Sequence, residues 1–302
     1  MLRLAIARTL ERGLPASTLG ALLARGWARR TKLARPLKSA LPTLCIGGAT
    51  LGGSGKTPLA IACARHLASL GHRVALVGHA YRASPARQPR RVRSDDDARV
   101  VGDEALECAR ALASDATVIV ARKKQDALDE ATRIADVVVL DGPLQLHPPR
   151  ATLSLLAIDA REPWGSGACP PLGDLRAPKD ALVAASDAVV RVACDSRGVL
   201  DRGQLIPWKD LRSHRVGLVT GVARPSRVTS FLRERGVVPT CTVRFADHAT
   251  FELPKADDVD AWITTPKDHA RGIATGASVI EYHLDLPQSV ARLLETRFPH
   301  AF

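Results

Sequence analysis

Three groups of residues in this chain have the types and spacing for phosphate chemistry. The stretch TLGGSGKTP, residues 50–58, ends in Gly-Lys-Thr. The general phosphate-loop pattern is Gly, any four residues, then Gly-Lys-Ser or Gly-Lys-Thr. Here Thr50 stands where that pattern has its first Gly. A Thr fits there provided the backbone needs no positive φ. In such a loop the backbone N–H groups of Gly52, Gly53, Ser54 and Gly55 turn toward phosphate oxygens, helped by the N-terminus of the following helix. Lys56 would reach the β- and γ-phosphates of a nucleotide, and Thr57 would hold Mg²⁺. The competing reading is a Gly-rich turn with an unrelated Lys. Context weakens it, because an apolar run (TLCIG, 43–47) precedes the loop and a helix-like stretch follows.

The second group is VVVLDG, residues 137–142. An apolar strand ending in an acid is what a Mg²⁺ site beside a phosphate loop requires, and Asp141 is the candidate. An ordinary Asp-Gly turn at a strand end is the bland alternative. The third is VGDEAL, residues 101–106, where Asp103 and Glu104 begin a helix-like stretch. Acids there complement a helix dipole; one of them could also act as a base near a γ-phosphate. Two Asp-His pairs, in FADHATF (245–251) and TTPKDHA (264–270), could each orient an imidazole for proton transfer. TTPKD also approaches the guanine-reading Asn-Lys-x-Asp element. Lys267 and Asp268 are adjacent, however, so specificity for GTP is not supported.

The elements that must position these residues follow from the apolar pattern. Short apolar runs at 43–47, 74–78, 117–121, 137–141, 153–159 and 188–192 alternate with helix-like stretches such as 56–70 and 123–134. Strands alternating with helices imply a parallel sheet covered on both faces. A second alternation follows: strands at 216–220, 240–244 and 261–265, with helices near 226–235 and 288–297. The expected fold is α/β, a phosphate-loop parallel-sheet core with a smaller C-terminal α/β lobe and an N-terminal amphipathic helical segment. The expected divisions are 1–40 for that segment, 41–197 for the core, 198–214 for a polar connector and 215–302 for the lobe. Residues 82–99 read as a mobile surface loop.

Composition narrows the partners. The chain has 302 residues, 46% of them hydrophobic, enough for a full core. Its net charge is +12, and the first 40 residues hold nine basic residues against one acid. That asymmetry points to an anionic partner for this end. Leu2, Ile6, Leu10, Leu19, Leu22, Leu23 and Trp27 recur among the arginines at roughly helical spacing, broken at Gly13–Pro15. The segment reads either as a helical hairpin on the core or as an interfacial helix pair on anionic lipid. No apolar stretch is long enough to cross a bilayer, and a secreted chain is not expected. Six cysteines form no CxxC pair, which favours reduced thiols over disulfides or zinc. Aromatics are too few for base stacking and the charge concentrates in one amphipathic segment, so a nucleic-acid-binding ATPase is not expected.

Taken in order, the motifs resemble the tetraacyldisaccharide 4'-kinase family. That family carries TVGGTGKTP, here TLGGSGKTP, with Thr in the same place as Thr50. Its VGDEP is similar to VGDEA (101–105), its DDG-x-Q to LDGPLQLH (140–147), and its GxGNGxxLPAGPLREP to WGSGACPPLGDLRAP (164–178). TGVARPSRV (220–228), FADH (245–248) and TTPKDHAR (264–271) complete the series. The resemblance implies transfer of the γ-phosphate of ATP to the 4'-hydroxyl of a tetraacylated glucosamine disaccharide 1-phosphate. It implies Asp103 as the base, His248 as its partner, Thr57 and Asp141 as Mg²⁺ ligands, and Lys56 on the transferred phosphate. It also implies a peripheral enzyme on the cytoplasmic face of the inner membrane, with residues 1–40 on the anionic surface; a monomer is expected. The chain departs from the family at His79-Ala80-Tyr81 (Arg-Gly-Tyr), Leu140 (Asp), Ser166 (Asn), Ala121-Arg122-Lys123-Lys124 (Gly-Arg-Asp-Arg), and by an inserted Pro143. The alternatives are a catalytically weakened or regulatory nucleotide-binding protein and a kinase with another lipid acceptor.

Overall fold

The computed structural model describes Leu10 and residues 18–32, 37–78, 83, 88–142, 151–222, 225–245, 253, 258–272, 274 and 276–299, with backbone alone for 28–32. The chain divides into two compact units, Leu2–Ala193 with Leu284–Phe302, and Cys194–His283.

The larger unit opens with helix α1, Thr18–Lys32. Strand β1 (Thr43–Gly48) then runs through the loop into helix α2 (Lys56–Ser69) and strand β2 (Val74–Val77). After β3 (Arg90–Arg91) come α3 (Ala98–Val101), α4 (Asp103–Leu112), β4 (Ala116–Val120), α5 (Lys124–Ala131), β5 (Val137–Gly142), β6 (Leu153–Asp159), α6 (Lys179–Ala184) and β7 (Ala188–Val192). The strands form one seven-stranded sheet in the order β3-β4-β2-β5-β1-β6-β7, parallel except for β3. Every residue of β1 and β2 is buried, as in a sheet with both faces covered. From β1 the chain passes to one side of the sheet, and from β5 through β6 to the other. The C-terminal ends of β1 and β5 therefore flank the switch point where ligands bind in open α/β sheets.

The smaller unit holds β8 (Gly198–Asp201), β9 (Gln204–Pro207), α7 (Trp208–Leu211), β10 (Val216–Thr220), α8 (Pro225–Glu234), β11 (Cys241–Arg244), β12 (Ala261–Thr264), α9 (Pro266–Ala270) and β13 (Ser278–Ile280). Its six strands run in the order β11-β10-β12-β13-β8-β9. Val199, Trp208, Leu218, Phe231, Leu232, Ile263 and Ile280 build its core.

The parallel α/β architecture and the strand positions agree with the sequence pattern; the divisions need correction at three places. Residues 198–214 are not a connector. They form the β8–β9 hairpin and α7, and β8 pairs with β13. The hairpin turns on Arg202 and Gly203, both with positive φ (47° and 85°), the geometry of a two-residue hairpin loop. The last helix, α10 (Gln288–Arg297), belongs to the larger unit rather than the lobe. There Glu295 lies 3.4 Å from His66 on α2, and the buried Phe298 offers its carbonyl to His72. Within 82–99, residues 88–99 are tied down. β3 pairs with β4, and Arg90–Asp96 and Arg91–Glu130 ion pairs pin the segment.

Helix α1 packs on the larger unit along one face. Gly20 is buried, and Ala24 packs against a cluster containing Ala49, Leu156, Leu175 and Ala177. Leu19 and Leu22, in contrast, are 67% and 59% exposed, and Leu23 and Trp27 share that stripe. The break at 13–15 lies outside the described residues. All six cysteines are free thiols. No helix among the described residues is long and apolar enough to cross a membrane.

Candidate active site

The loop is shaped by glycines and braced from behind. Gly55 caps α2 in the left-handed region (φ 79°), and a Cβ there would lie 2.5 Å from Val192 on β7. Only Gly meets both demands. No acidic residue occupies the first turn of α2, so its positive end is left for an anion. Pro58 sits in that first turn, where a missing N–H removes no helical hydrogen bond. The buried face of α2, Ala60, Cys63, Ala64 and Leu67, recurs at helical spacing and fixes the helix on the sheet.

Thr50 takes no positive φ, so its side chain fits the backbone without strain. It is buried, and its hydroxyl donates to Gly52 O at 2.6 Å. Its strand-like neighbour is Leu175, from the segment 164–178. That segment clamps the loop. Leu51 N donates to Asp174 O (2.8 Å), Arg176 N to Ala49 O (2.9 Å), and Arg176 Nε to Thr50 O (2.9 Å). Ser166, where the family has Asn, donates through N and Oγ to Asp174 Oδ1, both at 3.0 Å, which holds the clamp's own turn. The residue that the motif pattern missed is Gly48. A Cβ on it would collide with the Ser54 hydroxyl and lie 2.6 Å from Lys56 Cγ. The close wrap of the loop over the end of β1 therefore rests on Gly48, for which the Gly47-Gly48 pair was the available signal.

Asp141 meets the loop through strand register. Ile46 on β1 pairs with Asp141 on β5, which places the acid beside the loop's entrance. Its carboxylate is almost fully buried. Thr57 Oγ1 donates to Asp141 Oδ2 at 3.3 Å, and Lys56 Nζ lies 3.9 Å from Oδ1. That last distance is an ion pair beyond hydrogen-bond reach. Asp141 Oδ1 thus has no hydrogen-bond partner, and the buried Ser54 Oγ beside the loop has none either. A buried carboxylate oxygen without a donor requires a reason. The Thr57–Asp141 oxygens suit a small divalent cation that brings phosphate and water as its other ligands. No group of three or more metal-ligating side chains occurs among the described residues.

Leu140, where the family has an acid, lies on the opposite face of β5. It is fully buried among Cys45, Val77, Ile119 and Leu128. Alternation along the strand sends residues 140 and 141 to opposite sides. The Leu therefore leaves the Asp141 side of the sheet unchanged.

Two further cations reach this region, neither of which was given a role from the sequence. Lys124 opens α5 and donates to Asp141 O at 2.5 Å. The residue as a whole is half-buried, yet its ammonium is enclosed. Burial pulls it down to about 8, against the opposing pull of the Asp141 charge. Burial likewise lowers the Arg176 guanidinium, with Glu104 and then Asp141 acting in opposition. Glu104, Asp141, Lys56, Lys124 and Arg176 form one electrostatic group.

Asp103 is the first residue of α4, following Gly102 in a positive-φ conformation (92°). It is 8% exposed, and its Oδ1 accepts from Glu104 N at 2.9 Å. The end of β2 abuts the same turn, since a Cβ on Gly78 would lie 3.1 Å from Ala105 Cβ. His248, residues 79–82 and residues 143–150 lie outside the described residues. The structure therefore brings together Thr50, Ser54, Gly55, Lys56, Thr57 and Asp141, and places Asp103 at the helix start next to Glu104.

In the smaller unit Asp268 is fully buried. Thr220 Oγ1 and Thr265 Oγ1 each donate to its Oδ2 at 2.8 Å. Burial raises its carboxyl above the ordinary range. The Asp of TTPKDHA thus ties β10 to α9.

With this geometry in place, comparison with known proteins is informative. Residues 13–298 match the family described as tetraacyldisaccharide-1-P 4'-kinase. The tetraacyldisaccharide 4'-kinase of Paramagnetospirillum magneticum is 33% identical over 84% of this chain and 83% of its own length. That of Methylobacterium sp. strain 4-46 is 34% identical over 94% of this chain and 93% of its own. A solved structure, LpxK from Aquifex aeolicus in complex with ATP, superposes with a TM-score of 0.69 at 17% identity. It covers 99% of this chain and 100% of that one, and it shows the shared fold.

Proposed function

The chain belongs to the tetraacyldisaccharide-1-P 4'-kinase family, and on that premise we propose that it transfers the γ-phosphate of ATP to the 4'-hydroxyl of a tetraacylated glucosamine disaccharide 1-phosphate, a lipid A precursor. The observation that carries this reading is the buried Asp141, with one carboxylate oxygen unpartnered, set beside Lys56 and Thr57 at the mouth of a phosphate loop. Backbone N–H groups of 52–55 and the start of α2 bind the phosphates. Lys56 follows the transferred group. Mg²⁺, held by Thr57 and Asp141, would screen phosphate charge. Asp103 accepts the proton of the attacking hydroxyl, and His248 supports it, as the family resemblance implies. Phosphoryl transfer asks for little more than this positioning and charge neutralisation.

The membrane face of the enzyme is α1. Its exposed Leu19, Leu22 and Leu23 lie in the basic N-terminal segment, the composition of a helix seated in an anionic interface. We assign the protein to the cytoplasmic face of the inner membrane as a peripheral monomer. The reading is tested by incubating the protein with radiolabelled ATP, Mg²⁺ and the tetraacyl disaccharide 1-phosphate in anionic vesicles. Expected are a labelled 4'-phosphate product and co-sedimentation of the protein with the vesicles. Absence of label on this acceptor, while an active relative labels it, removes the assignment.

Lys124 makes the reaction pH-sensitive. The ammonium is charged below about 8 and neutral above. Held on the Asp141 carbonyl, it adds positive field at the phosphate loop at neutral pH, and that field fades as pH rises through 8. Expected is a fall in kcat/KM for ATP on that alkaline side, moved to higher pH in Lys124→Arg, since guanidinium stays charged. Stability runs the other way. A lysine lowered by folding destabilises the protein below 8, and that penalty lifts as pH climbs toward the ordinary lysine value. An identical pH profile for wild type and Lys124→Arg rules this role out.

A further inference from the structure

The clamp behind the phosphate loop has an outer end on the lipid-facing helix. Trp27 Nε1 donates to Arg176 O at 2.9 Å. Arg176 in turn gives its backbone N–H to Ala49 O and its Nε to Thr50 O, each at 2.9 Å. One residue thus takes a hydrogen bond from α1 and delivers two to the entrance of the loop. Its guanidinium is buried and feels the charges of Glu104 and Asp141. Apolar packing runs in parallel, because Ala24, one turn before Trp27, touches the cluster of Ala49, Leu175 and Ala177 on both sides of the same clamp. Trp27 itself straddles two environments. It is 38% exposed beside Leu19, Leu22 and Leu23, yet its N–H points inward to a carbonyl. An indole at a lipid boundary with its polar edge fixed is suited to report on the seating of its helix.

We propose that Trp27 is a positioning residue for the nucleotide site: its N–H fixes the Arg176 carbonyl, so that the seating of α1 on lipid sets the placement of Thr50 and the loop, and with it the affinity for ATP. The proposal rests on the kinase reading above but is tested separately from it, because ATP affinity can be measured by equilibrium binding without turnover. Binding reciprocity then applies. If lipid seating favours the ATP-binding loop, ATP favours lipid seating by the same factor.

The test uses the full-length protein and Trp27→Phe, which keeps an aromatic ring and removes the donor. ATP binding and steady-state constants are measured with and without phosphatidylglycerol vesicles. Loss of one neutral hydrogen bond of this kind corresponds to about a fivefold effect. Expected for wild type is ATP binding tightened several-fold by vesicles. Expected for Trp27→Phe is an ATP KM and Kd raised about fivefold, no response of ATP binding to vesicles, and an unchanged KM for the acylated acceptor. Replacement of Trp27 by benzothienylalanine, which keeps the bicyclic ring and exchanges N–H for sulfur, gives the same shift if Trp27→Phe folds poorly. Leu22→Ser, which keeps the donor, weakens vesicle binding, raises the acceptor KM and reduces the vesicle effect on ATP binding, while its ATP affinity without vesicles stays that of wild type. Wild-type ATP affinity in both Trp27 replacements, or a vesicle response equal to wild type, overturns the proposal. If instead wild type binds ATP with the stated vesicle response but never phosphorylates the acceptor, the acceptor assignment falls and the Trp27 coupling stands.

Discussion

Lys56→Met lowers kcat/KM for ATP about a hundred- to a thousandfold while the protein stays folded and still binds nucleotide. The size is that of removing one preorganised charge from a water-poor site where negative charge is rearranged. The structure makes this Lys hard to replace from within. Lys124 is committed to the Asp141 carbonyl, and Arg176 Nε to Thr50 O. Lys56 Nζ sits 3.9 Å from Asp141 with no hydrogen bond to it, close enough for attraction and loose enough to swing to a phosphate. The loop itself survives the change. Its shape comes from Gly48, Gly55 and the 164–178 clamp, none of which needs the ammonium. Residual ATP binding is therefore expected through backbone N–H groups, with the loss concentrated in kcat. A Lys56→Met variant within tenfold of wild type would mean that the γ-phosphate is held elsewhere.

Much of this arrangement was legible in the sequence, for identifiable reasons. Fully buried parallel strands are short apolar runs, so β1, β2, β5 and β6 stand out, and the loop and Asp141 follow at their ends. What stayed hidden depends on contacts between distant segments. Lys124 and Arg176 each belong to stretches whose local pattern says only that a helix begins or a Pro-rich turn ends. Sheet order, which brings β5 next to β1, points Lys124 at the loop, and the Thr50–Leu175 bridge does the same for Arg176. The β8–β9 hairpin was missed because its turn is Arg-Gly rather than Asn-Gly, and because β9 is an edge strand whose side chains stay partly exposed. Leu140 misleads in the opposite direction. Read along the chain it sits next to the metal-binding candidate; read across the pleat it is a core side chain. Ser166 is similar, a departure from the family pattern whose hydroxyl still serves the turn by binding Asp174.

The second large effect concerns the proton rather than the phosphate. Asp103→Asn lowers kcat by two to four orders of magnitude, the range for loss of a positioned general base, and leaves the Kd for ATP within about threefold. The substitution separates the two readings of this acid. As a helix-start residue, Asp103 offers Oδ1 to the N–H of Glu104. Asn retains that acceptor, so a purely structural role predicts wild-type kcat and at most a small change in stability from the lost dipole interaction. As a base, Asn cannot take a proton, and turnover collapses with the fold intact. Glu104→Gln serves as the control, since that carboxylate lies in the field of Lys124 and Arg176 and removing its negative charge should lower the KM for ATP modestly and leave turnover in place. His248→Asn extends the test to the partner that the family resemblance implies. If the two residues act as a unit, the double variant Asp103→Asn, His248→Asn loses no more than the worse single one, because groups that work through one proton are not additive. Multiplying losses would instead assign His248 a separate task, and a wild-type kcat in Asp103→Asn would return this acid to the helix dipole alone.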